Sequence, residues 1–221
     1  MTICAASVSG GMDDNVKAVF LIKKALNMYS DKLWTPINKL LFALNGVKFG
    51  NNLRVKGKVY FFQHSDRSSM VIGDNVYINS SAKANPIGCG ERVFVQMVDA
   101  GKLIIGNNCG ISNCAFTCAD RIELEDNVLL GSGCRLYDTD FHALDYAERI
   151  KGNYSGAPIR TRPIKICEGA FVGAGSTILK GVTIGVHSII GAGSVVTKSV
   201  PAGEIWAGNP AKFIRKIEDN D

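Results

Sequence analysis

Apolar residues recur at every sixth position along the C-terminal half of the chain. Within residues 166–201 an aliphatic residue begins each block of six, and a small or slim residue follows four positions later. A helix repeats its apolar residues about every 3.6 positions and a half-buried strand every second position, so neither period fits. A period of six predicts a short strand and a turn in each repeat, which is typical of a parallel β-helix. The blocks begin at Ile166, Val172, Ile178, Ile184, Ile190 and Val196.

Three such blocks form one triangular coil, in which strands of successive coils are hydrogen-bonded about 4.8 Å apart. The same step of six runs less regularly through the N-terminal half of the chain. The predicted fold is therefore all-β, a parallel β-helix over residues 47–201. The earlier blocks begin at Val47, Leu53, Val59, Ile72, Ile78, Ala84, Ile105, Ile111, Thr117, Leu124, Leu130 and Leu136.

Residues 1–46 are predicted to form a short helical cap on the first coil. Asp13 to Ser30 has the apolar spacing of an amphipathic helix, and a second short helix is predicted from Ile37 to Leu44, started by Pro36. A cap is expected because an open solenoid end exposes unpaired backbone groups. The alternative is a basic helix that touches a membrane carrying a lipid-linked substrate.

The rhythm of six stops for nearly thirty residues and then returns in the same phase, which defines a loop over residues 137–165. Loops longer than about 12–15 residues inside a compact domain are usually functional or disordered. This one carries acidic, basic and aromatic residues together with His142, and is therefore the predicted active-site loop. Residues 202–221 are predicted to form a turn and a short basic helix, Ala211 to Ile217, that closes the last coil.

Composition and charge limit the classes of partner, and the N-terminal residues bear on the cellular location. The 221 residues suit one domain, and a net charge of +5 is modest and too diffuse to indicate a nucleic-acid partner. Residues 1–11 lack the features of a signal peptide, which predicts a cytoplasmic protein, on the inner face of the membrane if the N-terminal helix touches lipid. The seven cysteines lack paired spacing, so we expect structural thiols and no metal site.

Two motifs add a family resemblance. The interruption DTDFHALD and the tail GAGSVVTKSVPAGEIWAGNPAKFIRKI resemble the hexapeptide-repeat O-acetyltransferases, chiefly the galactoside and maltose acetyltransferase branch and its relatives that acetylate capsule or lipopolysaccharide sugars. The resemblance spans about Ile105 to Ile217. It implies a left-handed coil, acetyl-CoA as the acetyl donor, a carbohydrate acceptor in surface polysaccharide biosynthesis, and a homotrimer with each site between two subunits.

The resemblance also implies a role for His142 as the general base that removes the proton of a sugar hydroxyl as it attacks acetyl-CoA. Histidine titrates near working pH, and such a base contributes about 10²–10⁴ in rate. Asp140, Asp138 or a backbone carbonyl would orient the imidazole. Asn113 is a candidate amide for contacting substrate or oxyanion, with a stacked turn asparagine as the alternative.

A second set of residues is implied for the coenzyme. Small residues would let the pantetheine arm lie against the wall of the solenoid, and cations near the C-terminus would hold the phosphates. Phe171 stands where relatives often carry a tryptophan, and an exposed packing residue is its alternative. The predicted coenzyme residues are Phe171, Gly173, Gly191, Ala192, Thr197, Lys198, Gly208, Lys212 and Arg215.

Other functions on the same scaffold remain open at this point. The acceptor could be a free glycoside or an antibiotic alcohol, and the solenoid could be a non-catalytic scaffold that binds partners on its flat faces. A metal-dependent hydratase would need three histidines around one zinc ion, whereas the three histidines of this chain are separated by whole coils.

Overall fold

The computed structural model describes residue 19 and residues 33–88, 92–151 and 159–218. Apart from Val19, which is helical, these residues form two helices, α1 over 33–44 and α2 over Tyr146–Ile150, and a succession of short strands. The strands are β1 Lys48–Phe49, β2 Arg54–Lys56, β3 Val59–Gln63, β4 Ser69–Ile72, β5 Tyr77–Asn79, β6 Val93–Met97, β7 Lys102–Ile105, β8 Gly110–Ser112, β9 Ala115–Cys118, β10 Arg121–Leu124, β11 Leu129–Leu130, β12 Arg135–Tyr137, β13 Ile164–Ile166, β14 Phe171–Val172, β15 Thr177–Leu179, β16 Thr183–Ile184, β17 Ile189–Ile190, β18 Val195–Val196, β19 Glu204–Gly208 and β20 Ala211–Lys216.

The strands form three parallel sheets, and each coil gives one strand to each sheet. Wall A is β1-β4-β7-β10-β13-β16, wall B begins β2-β5-β8-β11-β14-β17, and wall C is β3-β6-β9-β12-β15-β18. We name the corners by the walls they join, in chain order A/B, B/C and C/A. The parallel β-helix predicted from the six-residue period is confirmed.

The residues that begin the blocks of six stack inside the prism. Leu124 lies beside Ile166 and Ile166 beside Ile184 on neighbouring strands of wall A, and all three are buried. The period of six therefore reports the core directly, because each coil repeats the same inward position three times. Two predicted blocks are wrong. Ala84 lies in a turn, and on β9 the inward residue is Phe116, while Thr117 pairs with Tyr137 on the outer side.

The A/B corner is held by a ladder of asparagines that the hexad pattern did not predict. Asn52, Asn75, Asn108 and Asn127 have φ values of 55°, 57°, 56° and 62°, the left-handed conformation that asparagine tolerates better than most residues. Each side-chain amide donates to the next one along the corner, at 3.0, 3.2 and 3.2 Å. The corner is thus fixed both by backbone conformation and by a row of hydrogen bonds between coils.

Four cysteines contribute to the core. Cys109, Cys114, Cys118 and Cys134 are buried, and the Sγ atoms of the first two donate to the carbonyl oxygens of Glu125 and Ser112 at 3.2 and 3.1 Å. Burial raises the pKa of the Cys109 thiol to about 11. Burial and the negative charge of Asp138 hold the pKa of the Cys118 thiol far above its ordinary value. The Cys109 and Cys118 thiols therefore stay protonated at neutral pH.

Helix α1 covers the first coil. The Asn38 side chain donates to the Gly57 carbonyl at 2.9 Å and accepts from the Val59 amide at 3.1 Å, and the Phe42 ring packs edge-on against Phe61. The helix includes residue 33, so Pro36 lies inside it rather than at its start as predicted. The predicted helix from Asp13 to Ser30 lies outside the described residues except for Val19, which is helical. No helix in the described part of the chain is long and apolar enough to cross a membrane.

The predicted C-terminal helix, Ala211 to Ile217, is wrong. Residues Ala211–Lys216 form β20, which pairs antiparallel with β19, and β19 pairs with β17 at the end of wall B. The hairpin continues wall B past the last coil and so satisfies backbone groups of β17 that would otherwise form an open sheet edge. The apolar spacing of this segment fits a helix. The strand forms instead because it can hydrogen-bond in a hairpin that pairs with the open edge of wall B.

Candidate active site

The predicted loop leaves the solenoid at the end of β12 and returns at β13, which places its base at the C/A corner. Its two legs are held together by main-chain bonds. The Asp140 N–H donates to the Arg160 carbonyl at 3.1 Å, and the Arg162 N–H donates to the Asp138 carbonyl at 2.9 Å. Between them Thr139 and Thr161 form an antiparallel bridge. The base of the loop is therefore a short ladder fixed to the corner.

Asp138 anchors this base to the preceding coil. Its side chain is buried, and its two oxygens accept from the N–H groups of Ala119 and Asp120 at 2.8 and 2.9 Å. Desolvation raises the pKa of the Asp138 carboxyl above 3.8, against the opposing effect of these two hydrogen bonds. Its oxygens are engaged by the backbone of another coil, so Asp138 holds the loop in place.

Asp140 has a different environment, two residues further along. Its Oδ1 atom forms an ion pair with Lys180, which follows β15 one coil later. Its Oδ2 atom is buried and has no hydrogen-bond partner in the structure. A buried carboxylate oxygen without a donor is costly, so this atom calls for an N–H or O–H group from a side chain or a ligand.

His142 is exposed and follows directly on a conformationally restrained residue. Phe141 has a φ of 63°, a left-handed conformation that costs a bulky residue roughly 1–2 kcal/mol. Its N–H donates to the Thr139 hydroxyl at 3.3 Å, and its ring packs edge-on against Tyr137 with centroids 5.2 Å apart. Backbone strain of this kind persists where the surroundings enforce it, often at functional sites.

The backbone that follows His142 is also held by hydrogen bonds. The Arg149 guanidinium donates to the carbonyls of Ala143 and Leu144 at 3.2 and 2.9 Å, and Asp145 caps α2 by accepting from the Glu148 N–H at 2.9 Å. The imidazole is thus carried on a turn whose backbone is held from both directions.

The outer face of wall C carries a polar track that ends at this loop. Gln96, Thr117 and Tyr137 lie opposite one another on three successive strands. The Thr117 hydroxyl donates to Gln96 Oε1 at 3.5 Å, and Gln96 Nε2 lies 3.4 Å from Nε2 of His64. Sequence reasoning missed these residues, because Gln96 falls in the irregular segment and Thr117 was assigned to the core.

Beside this track stand exposed aromatic rings. Tyr60 stacks on Phe94 with centroids 4.9 Å apart, and Phe94 is 43% exposed. The next residue across the sheet is Ala115, and beyond it lies the exposed Arg135. Phe94 and Arg135 are therefore two strand spacings apart, about 9–10 Å between Cα atoms, with the small Ala115 side chain between them.

Asn113 lies at the other end of wall C. It occupies the B/C corner before β9, roughly 13 Å along the strand direction from the C/A corner. Its φ is 48°, its amide nitrogen donates to the Ser132 hydroxyl at 3.1 Å, and its Oδ1 atom is buried without a partner. The amide nitrogen of Asn113 is therefore stacked on the next coil as in a turn asparagine, while its Oδ1 atom still calls for a donor, and within one chain the base of the His142 loop is at the opposite corner.

Two of the predicted coenzyme glycines have a structural explanation. A Cβ atom on Gly173 would lie 2.5 Å from the Ala192 amide nitrogen, and one on Gly191 would lie 2.8 Å from the Ala207 Cβ atom. Both positions are glycine because the neighbouring strand segment, of the next coil for Gly173 and of β19 for Gly191, approaches too closely for a side chain. The sequence could not separate this cause from an approaching pantetheine arm.

The remaining coenzyme candidates fall into two groups. Thr197 and Lys198 are exposed and follow β18 at the C/A corner, two coils beyond the base of the His142 loop.

The other group of coenzyme candidates belongs to wall B, where Phe171, Ile189, Ile205 and Arg215 lie opposite one another on successive strands. Ala192 lies just past β17, at the edge of this wall, and Gly208 and Lys212 belong to the terminal hairpin. Within one chain the predicted phosphate ligands therefore lie on separate faces.

Among the residues that the structure describes, no three His, Cys, Asp or Glu side chains gather in a group that could hold a metal ion.

Comparisons with known proteins agree with this architecture. A family model described as "Bacterial transferase hexapeptide (six repeats)" matches residues 163–198. Galactoside O-acetyltransferase of Escherichia coli is 31% identical over 175 residues, which cover 76% of this chain and 80% of that protein. The chain belongs to the hexapeptide-repeat transferase family. The resemblance inferred from the loop and tail motifs is confirmed.

Two further relatives of this hexapeptide-repeat transferase show how far the likeness extends. A solved galactoside acetyltransferase in complex with coenzyme A has 26% identity and a TM-score of 0.52, covering 79% of this chain and 66% of that one. Gamma carbonic anhydrase 2 of Arabidopsis thaliana is 48% identical over 112 residues, or 43% of this chain and 38% of that protein. Among the first curated relatives the chain spans 49%, 38% and 59% of their length.

Proposed function

We propose that the protein is an acetyl-CoA-dependent O-acetyltransferase that moves the acetyl group directly to a sugar hydroxyl. The observation that carries this proposal is the His142 loop. It interrupts the hexapeptide coil between β12 and β13, its base is hydrogen-bonded at the C/A corner, and it presents an exposed imidazole two residues from a buried carboxylate oxygen without a donor. The likeness to galactoside O-acetyltransferase supports the same reaction class.

In this mechanism His142 accepts and then donates a proton, and it forms no covalent bond to the acetyl group. Its unprotonated ring nitrogen takes the proton of the acceptor hydroxyl as the hydroxyl oxygen attacks the acetyl carbonyl carbon. The imidazolium then gives that proton to the departing thiolate of coenzyme A as the carbon–sulfur bond breaks. We assign Asp140 Oδ2, a buried oxygen without a donor on the same turn, the role of accepting from the other ring N–H when substrate is bound, which would fix the tautomer and stabilise the cation.

The separate positions of the coenzyme candidates support a site between copies of the chain. Lys198 projects from the C/A corner and Arg215 from wall B, so a neighbouring copy would bring the two kinds of surface together around one coenzyme. We therefore include in the proposal a homotrimer with three shared sites, and a left-handed coil. Gly208, Lys212 and Thr197 remain coenzyme contacts in this arrangement, whereas Gly173 and Gly191 are placed by packing between coils.

The outer face of wall C favours a carbohydrate acceptor. Sugars bind proteins through aromatic rings beneath their C–H faces and through side chains that both donate and accept hydrogen bonds. Phe94 and Tyr60 supply the rings, and the half-buried Gln96 supplies a polar group beside the His142 loop, with its Oε1 atom accepting from the buried Thr117 hydroxyl. This combination favours a glycan acceptor over an antibiotic alcohol. We include in the proposal, on the family resemblance alone, a place in cytoplasmic steps of surface polysaccharide synthesis.

The proposal is tested by an acceptor screen with the full-length protein. Acetyl-CoA is mixed with single sugars and oligosaccharides, and the free thiol of coenzyme A is followed with a colorimetric reagent against a reaction without acceptor. We expect thiol release to rise above the acceptor-free rate with a carbohydrate, and the product to gain one acetyl group by mass spectrometry. Binding of acetyl-CoA with no transfer to any sugar or alcohol would favour a non-catalytic scaffold instead.

A further inference from the structure

Helix α1 buries only one of its two sides. The buried side carries Asn38 and Phe42, which are 0% and 1% exposed and contact the first coil. The opposite side carries five large aliphatic residues at the spacing i, i+4, i+7, i+8 and i+11, which places them along one stripe of the helix. The apolar stripe consists of Leu33, Ile37, Leu40, Leu41 and Leu44, which are 63%, 43%, 62%, 39% and 74% exposed.

A stripe of this size needs a partner. Scattered exposed aliphatic residues are ordinary on protein surfaces, but a contiguous row along a helix marks a surface that binds protein or lipid. Trp34 precedes most of the stripe and is itself half-buried. Tryptophan is enriched where an apolar phase meets water, which favours a lipid surface.

The charge of the residues around the stripe indicates that the partner is anionic. Residues 33–65 contain five lysines and arginines and no aspartate or glutamate, and the net charge of the whole chain is also +5. The excess of positive charge therefore lies in the segment at the α1 end of the solenoid, which corrects the expectation that it is diffuse, although Asp66 and Asp74 add two acids close by. Lys48, Arg54 and Lys58 are exposed around the first coil, on β1, on β2 and next to β3, which distributes cations around the rim of this end.

We propose that the apolar stripe of α1 and the cations of the first coil form a docking surface for an anionic membrane. The stripe would lie at the boundary between headgroups and acyl chains, as amphipathic interfacial helices do, and the surrounding cations would contact anionic headgroups. A basic rim around an apolar stripe fits this partner better than it fits a second copy, because two copies facing each other through this end would oppose like charges. The proposal does not depend on the transferase reaction.

The test is vesicle flotation of the full-length protein at low salt. One set of vesicles is phosphatidylcholine alone, and the other contains about a third phosphatidylglycerol, an anionic lipid. We expect the wild type to float with the anionic vesicles and at least about tenfold less with the neutral ones, and the bound fraction to fall as salt is raised. Flotation of the wild type with neither set would overturn the proposal.

Variants separate the stripe from general charge effects. Leu40→Glu with Leu44→Glu places two acids in the stripe, whereas Phe213→Glu with Ile214→Glu places two acids on β20 at the other end, at residues 50% and 58% exposed. We expect at least about tenfold less flotation for the stripe variant and wild-type flotation for the matched control. Equal flotation of both variants would contradict a role for the stripe. Circular dichroism and light scattering on each variant establish that fold and mass are unchanged, and a changed mass in the stripe variant alone would assign the stripe to contacts between copies.

Discussion

Asp138 and Asp140 are two residues apart on the same turn and have separate tasks. Asp138 is buried with its oxygens on the backbone of the preceding coil, while Asp140 pairs with Lys180 and keeps one buried oxygen without a donor. The sequence could offer both as partners of His142, because it shows only their distance along the chain. Their difference arises from the fold, which buries one side chain in a corner and leaves the other at the base of the loop.

The buried Asp138 should give the protein a specific dependence of stability on pH. Its pKa is raised by burial above 3.8, so the folded state binds the proton more tightly than the unfolded state. The contribution of this group to the free energy of unfolding is therefore complete in acid and is lost as the pH rises through the raised pKa. Denaturant titrations from about pH 4 to about pH 8 should show this slope in the wild type and not in Asp138→Asn. Parallel pH profiles for the two proteins would contradict it.

Cations near the C-terminus should discriminate among coenzymes. Replacing Lys198 or Arg215 with alanine should weaken acetyl-CoA by about tenfold and change the affinity for dephospho-CoA less, because a phosphate contact is lost only with the former. Calorimetric titration of both ligands measures the ratio, and Lys151→Ala, in the exposed part of the loop, is the control. An unchanged ratio in both variants would remove these residues from the phosphate site.

At the scale of single elements, the A/B corner shows how a coil is stabilised outside its core. The asparagine ladder combines a left-handed backbone with hydrogen bonds between side chains of successive coils. Both effects can be separated at Asn108, which bonds to asparagines on either side.

Substitution of Asn108 by alanine should destabilise the protein more than substitution by glycine. Both changes remove the two ladder bonds, but alanine also pays roughly 1–2 kcal/mol to adopt a φ of 56°, which glycine accepts freely. Urea unfolding of both variants measures the difference in the free energy of unfolding. Equal values would show that the backbone conformation relaxes when the ladder is broken.

The elements also show what the sequence could predict. The step of six identified the core positions and the loop, because a coil repeats the same inward position and any excursion breaks the count. It did not predict β20, because the apolar spacing of that segment also fits a helix and the deciding partner, the open edge of wall B, is set by the tertiary structure. The polar track of Gln96 and Thr117 was missed for a related reason, since residues on adjacent strands meet only through the register of the coils.

At the scale of the whole molecule, the candidate functional residues lie on different faces of the β-helix. The His142 loop and Lys198 share the C/A corner, Phe171 and Arg215 belong to wall B, and the apolar stripe lies on the helix that covers the first coil. Under the proposal, a single chain holds parts of a coenzyme site that neighbouring copies would complete.

We accordingly expect the protein to be a trimer in solution. Size-exclusion chromatography with light scattering should give a mass three times the 23.7 kDa of one chain. Charged substitutions on the face of the solenoid that packs against a neighbouring copy should both dissociate the trimer and reduce the rate of acetyl transfer. A monomer that is fully active would contradict a site shared between copies.

Whether His142 is the general base is decided by the turnover number of His142→Ala. Once the acceptor is known, kcat and the acetyl-CoA dissociation constant are measured for the wild type, for His142→Ala and for His187→Asn. The last is a control at an exposed histidine whose φ of 57° asparagine also tolerates. We predict a loss of at least about 10²-fold in kcat for His142→Ala alone, with unchanged acetyl-CoA affinity. Equal turnover by all three proteins would contradict the mechanism.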